Sequence, residues 1–311
     1  MNPLGKGYES TASVSSGNSP QIVLLPAGSN TEGSEFPEVS FIIPTLNSGR
    51  TLERCLTSIA TQRYPSVEII IIDGGSTDNT VSIAERYATR IFRFKGTLGA
   101  ARQLGIEHAS GKLIANWDSD IYIPVEDWLQ EAVRALFDYP NASTLWVYNV
   151  CPPDSTTVQR AFSWYAWKMM LEFAKRDRGF WGGGNSIFRK RMIEEVGGFN
   201  EEDDTGEDFH LSKKLHSRGY KVVFYDNYVY HDTFRSLSEL VRKDIRRSAN
   251  FKQTGIGQSM GLSIPELLLE HTGIVIDSAI GLFTERRYFF VMVPIIVALR
   301  LLVYAIVYLL P

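Results

Sequence analysis

Apolar residues along this chain gather into short runs that end in polar clusters, and each run is followed by apolar positions at helical spacing. Val39–Ile43 reads as a buried strand ending at Pro44, with Leu52, Leu56 and Ile59 on one helical face just after it. Val67–Ile72 is a second run, ended by Asp73-Gly74-Gly75-Ser76 and followed by a helix over about Asp78 to Tyr87. The pattern repeats at Ile91–Phe94 with a helix over Leu98–His108, and starts again at Leu113–Asn116. Strand alternating with helix at this spacing predicts an α/β fold on a mostly parallel sheet covered on both faces.

Beyond Asn116 the alternation loosens. A helix near Val125–Phe137, a strand near Leu145–Val150 and an aromatic helix near Val158–Lys175 lead to Trp181-Gly182-Gly183-Gly184-Asn185. No linker-like composition divides this stretch, so one catalytic domain over residues 38–234 is expected. Residues 1–37, rich in Ser, Gly and Asn, read as a flexible leader whose apolar run Ile22–Leu25 is too short for a signal-peptide core.

The C-terminal part has a different pattern. Ser236-Leu237-Ser238-Glu239 is a capping box, and its helix places Leu237, Leu240, Val241 and Ile245 on one side and Arg242, Lys243, Arg246 and Arg247 largely on the other. Residues 235–285 are therefore expected to lie on a membrane face as amphipathic interfacial helices, or to pack as a surface helix on their own domain. From Tyr288 to Leu310 almost every residue is apolar, and a helix of that length rises about 34 Å against a hydrocarbon core of about 30 Å. Residues 286–311 are thus a transmembrane or membrane-embedded segment, with Arg286 and Arg287 placing the preceding domain on the cytoplasmic side. Arg300, which costs about 2.5–3.5 kcal/mol at the centre of a span, and Pro294 leave two other arrangements open. These are a re-entrant or in-plane hairpin, and a span whose arginine pairs with partner helices in an oligomer.

Composition narrows the chemistry. The formal charge of −3 over 311 residues gives no basic excess for nucleic acid. Two cysteines, Cys55 and Cys151, are too few for a disulfide framework or a zinc site, and read as small core residues in a reducing compartment. The phosphate fingerprint of nicotinamide-binding folds is absent, because the first turn is Pro44-Thr45-Leu46-Asn47 and Gly96-Thr97-Leu98-Gly99 lacks the glycine spacing. A nucleotidyltransferase is disfavoured too, since no glycine-rich, lysine-bearing loop follows the first strand.

Ligands on such sheets bind at the carboxyl ends of the strands, and the polar clusters fall there: Thr45 to Asn47, Asp73 to Asp78, and Asp118-Ser119-Asp120. Asp118 and Asp120, two apart, would point the same way from an extended backbone, and their oxygens suit Mg2+ or Mn2+ shared with a diphosphate. Asp73 can accept from a base N–H, and Ser76 and Thr77 can bond phosphate or cap the next helix. Arg102 can reach a diphosphate or lie on a solvated helix face; His231 can bind a metal or diphosphate, or serve as a structural hydrogen-bonder. Glu207 and Asp208 open a helix, where one of them can deprotonate an acceptor hydroxyl and give inversion by single displacement.

These blocks, Pro44-Thr45-Leu46-Asn47, Ile72 to Asp78, Leu98-Gly99-Ala100-Ala101-Arg102, Asp118-Ser119-Asp120, and Gly197-Gly198-Phe199-Asn200 leading into Glu207-Asp208, occur in the order found in glycosyltransferase family 2. The chain resembles that family over about Val39 to His231. The resemblance implies a GT-A type nucleotide-binding sheet flanked by helices and a nucleoside-diphosphate sugar donor. It also implies roles: Asp73 at the base, Asp120 on the metal, Asp118 on the nucleotide sugar or a metal-bound water, Asp208 as catalytic base, and Trp181, Gly183 and Gly184 bordering the acceptor. Gly74 replaces a second acidic residue that many relatives carry, and Gln103 stands where asparagine is common. Ile121-Tyr122-Ile123-Pro124 departs from the histidine-proline stretch of dolichyl-phosphate hexose synthases, so a saccharide or lipid-linked glycan acceptor is favoured over bare polyprenyl phosphate. The Gln-x-x-Arg-Trp motif of processive synthases is missing. A non-catalytic nucleotide-sugar-binding subunit of a membrane glycan assembly is the other reading.

Overall fold

The structure is a computed structural model that describes residues 23–25, 36–175, 183–254 and 264–309. These divide into two compact units. The first falls within residues 1–150, 179–203 and 207–231, and the second within residues 151–178, 204–206 and 232–311.

The first unit is built on a nine-stranded sheet. Its strands are β1 (Val23–Leu25), β2 (Val39–Thr45), β3 (Val67–Asp73), β4 (Arg90–Arg93), β5 (Leu113–Trp117), β6 (Ile121–Tyr122), β7 (Ala142–Val150), β8 (Asn185–Arg189) and β9 (Lys221–His231). The order is β1-β9-β7-β8-β5-β2-β3-β4, with the short β6 also paired to β9. Strands β5, β2, β3 and β4 are mutually parallel, as the alternation predicts. Between β5 and β7 lies β8, antiparallel to both, which sequence periodicity missed because Asn185-Ser186-Ile187-Phe188-Arg189 is too short to show a period. The expected leader also contributes: β1 pairs in parallel with β9.

The sheet is apolar on both faces because its strands alternate between two cores. Phe41, Ile43, Ile69 and Ile71 face α1 (Leu52–Ala60), α2 (Thr80–Ala84) and α4 (Trp128–Phe137). Ile42, Ile70, Ile72 and Ile114 face α3 (Leu98–His108), α6 (Lys190–Glu195) and α7 (Glu207–Ser217). The α3 helix lies close on the sheet because Gly105 leaves no side chain: a Cβ there would stand 2.3 Å from Ile42 Cγ2. The helix expected over Asp78–Tyr87 is shortened to Thr80–Ala84. Asp78 lies outside it, accepting from Thr80 N at 3.0 Å and Thr80 Oγ1 at 2.5 Å in the turn that leads into the helix.

The second unit is helical: α5 (Thr157–Lys175), α8 (Leu237–Thr254), α9 (Ile264–Thr284), a 3-10 turn at Tyr288–Val291 and α10 (Met292–Leu309). On α8 the structure keeps Leu240 of the expected apolar face inside and departs from it at Ile245. Leu240, Asp244 and Ser248 are buried, while Ile245 points outward. The reason is Arg300 on α10, whose Nε lies 3.2 Å from Asp244 Oδ2 and whose guanidinium stacks near the rings of Phe162 and Tyr165. The arginine in the middle of the apolar segment thus pairs within its own chain.

At the amino ends of the central strands, Glu68 is buried and ties β2, β3 and the turn into β5 together. Its Oε2 accepts from Ser40 Oγ at 2.5 Å and Ser110 N at 2.8 Å. Burial alone would raise this carboxyl's pKa; the bonds from Ser40 and Ser110, with Arg90 nearby, outweigh it and hold the pKa below the usual range. A group whose folded pKa is depressed stabilises the fold above its unfolded pKa and loses that stabilisation as pH falls through the folded value. Glu68→Gln should therefore cost about 1–3 kcal/mol at neutral pH and flatten the acid limb of the stability profile, measured by urea unfolding at neutral and acid pH.

Candidate active site

Three strand ends are stitched into one rim. Asn47 takes a left-handed backbone at φ 51°, and its Oδ1 accepts from Thr77 N at 2.9 Å while its own N–H donates to Ser76 Oγ at 2.8 Å. Gly49 N donates to Asp78 Oδ2 at 3.0 Å, and Ser48 and Ser119 share a hydroxyl bond of 2.8 Å. Thr45, Asn47, Asp73, Ser76 and Ser119 therefore sit together, as their placement at strand ends predicts. Asp73 is more enclosed than a base contact requires. Its Oδ2 accepts from Gly75 N and Ser76 N at 3.1 and 3.0 Å, and Thr45 Oγ1 lies 3.3 Å from Oδ1. It shapes the Gly74–Ser76 turn, and Gly75, at φ 97°, needs the left-handed region that glycine permits.

Asp118 and Asp120 do not follow the extended geometry expected of them. Ile121 N donates to Asp118 O at 3.1 Å, closing a turn, and the two carboxylates bond different partners. Asp118 Oδ1 accepts from Arg102 at 2.7 Å. Asp120 Oδ1 lies 3.3 Å from His231 Nε2. The second contact follows from strand register, because β6 pairs antiparallel with β9 and Ile121 stands opposite His231. Asp120 and His231 are both partly exposed. One carboxylate and one imidazole leave most positions around a cation for substrate phosphates and water, a donor set that fits Mg2+ or Mn2+. Among the described residues no group of three His, Cys, Asp or Glu side chains forms a closed metal cage.

Arg102 is the central correction to the sequence reading: it is neither solvated nor open to a diphosphate. At 2% exposure its Nε donates to Glu207 Oε1 at 2.9 Å, one terminal nitrogen to Asn116 Oδ1 and the other to Asp118 Oδ1. Burial works against the charged form, but Asp118 and Glu207, with Asp208 beside them, outweigh it and raise the guanidinium pKa. Glu207 is buried and bound to Arg102, so of the two acidic residues opening α7 it is the anchor and cannot face an acceptor.

Asp208 is held beside the same site by Gly183 and Gly184. Asn116 Nδ2 donates to Gly183 O at 2.9 Å, and Asp118 N donates to Gly184 O at 3.0 Å. A Cβ on Gly183 would stand 2.6 Å from Asp208 Oδ2, and one on Gly184 would stand 2.0 Å from Asp118 Oδ2. Two adjacent glycines thus touch both carboxylates, which the chain separates by about ninety residues. Trp181, expected at the acceptor side, lies outside the described residues.

Sequence reasoning missed Asn116, and noted Gln103 only as a departure from the family pattern. A buried polar residue in the run Leu113-Ile114-Ala115-Asn116-Trp117 is the signal that could have found the first. Gln103 Oε1 accepts from Phe199 N at 3.1 Å and fixes the Gly197-Gly198-Phe199 turn. Asp203 ties that turn onward: its carbonyl accepts from Gly99 N at 2.8 Å, and its Oδ2 lies 2.6 Å from His210 Nδ1 on α7.

Removing Arg102 leaves two acidic groups without their cation, so Arg102→Met should lower stability by about 3–5 kcal/mol. A double-mutant cycle with Glu207→Gln, read from urea unfolding, should give a coupling of about 0.5–3 kcal/mol.

Residues 40–197 match the sequence profile of Glycosyl transferase family 2. Glycosyltransferase AglE of Haloferax volcanii is 28% identical over 226 residues, 68% of this chain and 72% of that protein. A GalNAc(5)-diNAcBac-PP-undecaprenol beta-1,3-glucosyltransferase of Campylobacter jejuni is 28% identical over 179 residues, 54% of this chain and 56% of that one. Among solved structures, the mannosyltransferase PcManGT from Pyrobaculum calidifontis, in complex with GDP-Man and Mn2+, has the same fold at a TM-score of 0.57 and 19% identity, covering 87% of this chain and 88% of its own. With half of its length matched by the family profile and a GT-A type sheet carrying the matched residues, this chain belongs to glycosyl transferase family 2 and is a glycosyltransferase.

Proposed function

We propose that this enzyme is a membrane-attached, inverting glycosyltransferase that moves a sugar from a nucleoside-diphosphate sugar to a saccharide acceptor carried on a lipid or a growing glycan. The observation that carries the reading is the contact of Gly183 and Gly184 with Asp208 and Asp118, which sets a proton acceptor beside the donor-facing carboxylates. The nucleoside lies along Thr45, Asn47 and the Gly74–Ser76 turn, at the carboxyl ends of β2 and β3. Asp120 and His231 would hold the divalent ion, and Asp118 would face the donor sugar. When bound, that ion stabilises the charge developing on the departing diphosphate.

Asp208 takes the proton from the acceptor hydroxyl as the oxygen attacks the anomeric carbon, on the face opposite the leaving group. Arg102 keeps Glu207 fixed, so that the helix opening places Asp208 and not its neighbour toward the acceptor. The lipid-linked acceptor is supported by the Campylobacter jejuni relative, whose name states an undecaprenyl-diphosphate glycan, and the donor with Mn2+ by the Pyrobaculum calidifontis enzyme. Membrane attachment is supported by Tyr288–Val307, long and apolar enough to cross a bilayer by length and composition, with a mean hydropathy of 2.6. Use of a nucleotide sugar favours the cytoplasmic face.

Asp208→Asn should lower transfer by about 10²- to 10⁴-fold while nucleotide-sugar binding, followed by thermal shift with and without Mn2+, stays within twofold. Unchanged turnover in that variant would remove Asp208 as the base, and absence of any transfer or hydrolysis by the intact protein across a panel of nucleotide sugars would favour a non-catalytic binding role. His231→Ala should weaken Mn2+-dependent stabilisation of the nucleotide-bound protein by about 10- to 100-fold in apparent metal affinity, measured by titrating the ion.

A further inference from the structure

We infer that the apolar segment of the second unit does not cross the membrane but lies in the plane of one leaflet, docked on anionic lipid beside α8. This deepens the attachment part of the proposed function and is independent of the sugar chemistry.

The α10 helix has two faces. Val293, Ile296, Arg300 and Val303 are buried, and Ile295, Leu302 and Ile306 face outward. On α9, Ile276, Ile280 and Phe283 are also exposed, Phe283 at 81%. An outward apolar stripe on two helices joined by a tight turn needs a nonpolar cover.

The placement of α8 excludes a crossing. Asp244 of α8 meets Arg300, and Lys252 Nζ donates to Val307 O at 2.9 Å. Positions eight apart on α8 therefore meet positions seven apart on α10, so the two helices run side by side in the same direction. Arg242, Lys243, Arg246 and Lys252 are exposed on α8, and the last three of its turns lie level with the middle and end of α10. A bilayer crossed by α10 would have to take these cations into hydrocarbon, where a charge is strongly disfavoured. In the plane of the membrane the same cations sit at headgroup depth, beside an apolar stripe that dips into the acyl region. Ile245, exposed between Arg242 and Arg246 on α8, fits that level. The charge favours anionic lipid over a second copy of the chain, which would bring like charges together at the same stripe.

The test uses the full chain carrying one epitope at the Glu285–Arg287 turn or one at the C-terminus, in inside-out and right-side-out membrane vesicles from expressing cells. An in-plane segment exposes both epitopes in the same vesicle population; exposure in opposite populations overturns the inference. With purified protein and vesicles of phosphatidylcholine with phosphatidylglycerol, the double variant Arg242→Ala with Lys243→Ala should bind about thirty-fold more weakly, at about fivefold per cation. Equal binding by that variant, or equal binding to phosphatidylcholine alone, overturns the anionic partner. Leu302→Glu should abolish vesicle binding while donor hydrolysis is retained. If Leu302→Glu instead converts a stable dimer to monomer without changing vesicle binding, the stripe is an interface between copies and the inference falls. Loss of sugar transfer with intact vesicle binding bears on the catalytic reading alone.

Discussion

The site depends on one buried cation. Arg102 draws Glu207 from α7, Asn116 from β5 and Asp118 from the loop after β5 to a single guanidinium. A planar fork of donors in fixed directions suits this work better than an ammonium would, because it sets angles as well as charge. Without it, the residues at the start of α7 and those at the end of β5 would share no fixed point. The two glycines at the start of β8 then close the distance that the arginine defines.

The first half of the sheet was legible because its signal is local. Val39–Ile43, Val67–Ile72 and Leu113–Asn116 are continuous apolar runs ending in polar clusters, and they became β2, β3 and β5 with the crevice at their carboxyl ends. Strand β8 was not legible, since five residues alternating in neither period carry no pattern and its place is fixed only by partners far away in the chain. The same limit applied to side-chain direction. Residue type marked Asp118, Asp120, Glu207 and Asp208 as chemically active, whereas the turn after Asp118 and the burial of Glu207 arise from contacts across the fold.

The second unit shows how a helical wheel can mislead. Of Leu237, Leu240, Val241 and Ile245, the plausible packing face of α8, Leu240 is buried but Ile245 is exposed, and Asp244 turns inward to meet an arginine on a neighbouring apolar helix. Desolvating a charge outweighs burying one isoleucine, so the helix rotates to serve the pair.

The imidazole of His231 reaches Asp120 only because Ile121 stands opposite it across two short strands. In such a ladder a shift by one position turns a side chain to the other surface of the sheet. A chain that closed this edge one step out of place would keep its backbone bonds and much of its core, yet part the imidazole from Asp120. An error of assembly here would thus spare the fold and fall on the contact between two side chains.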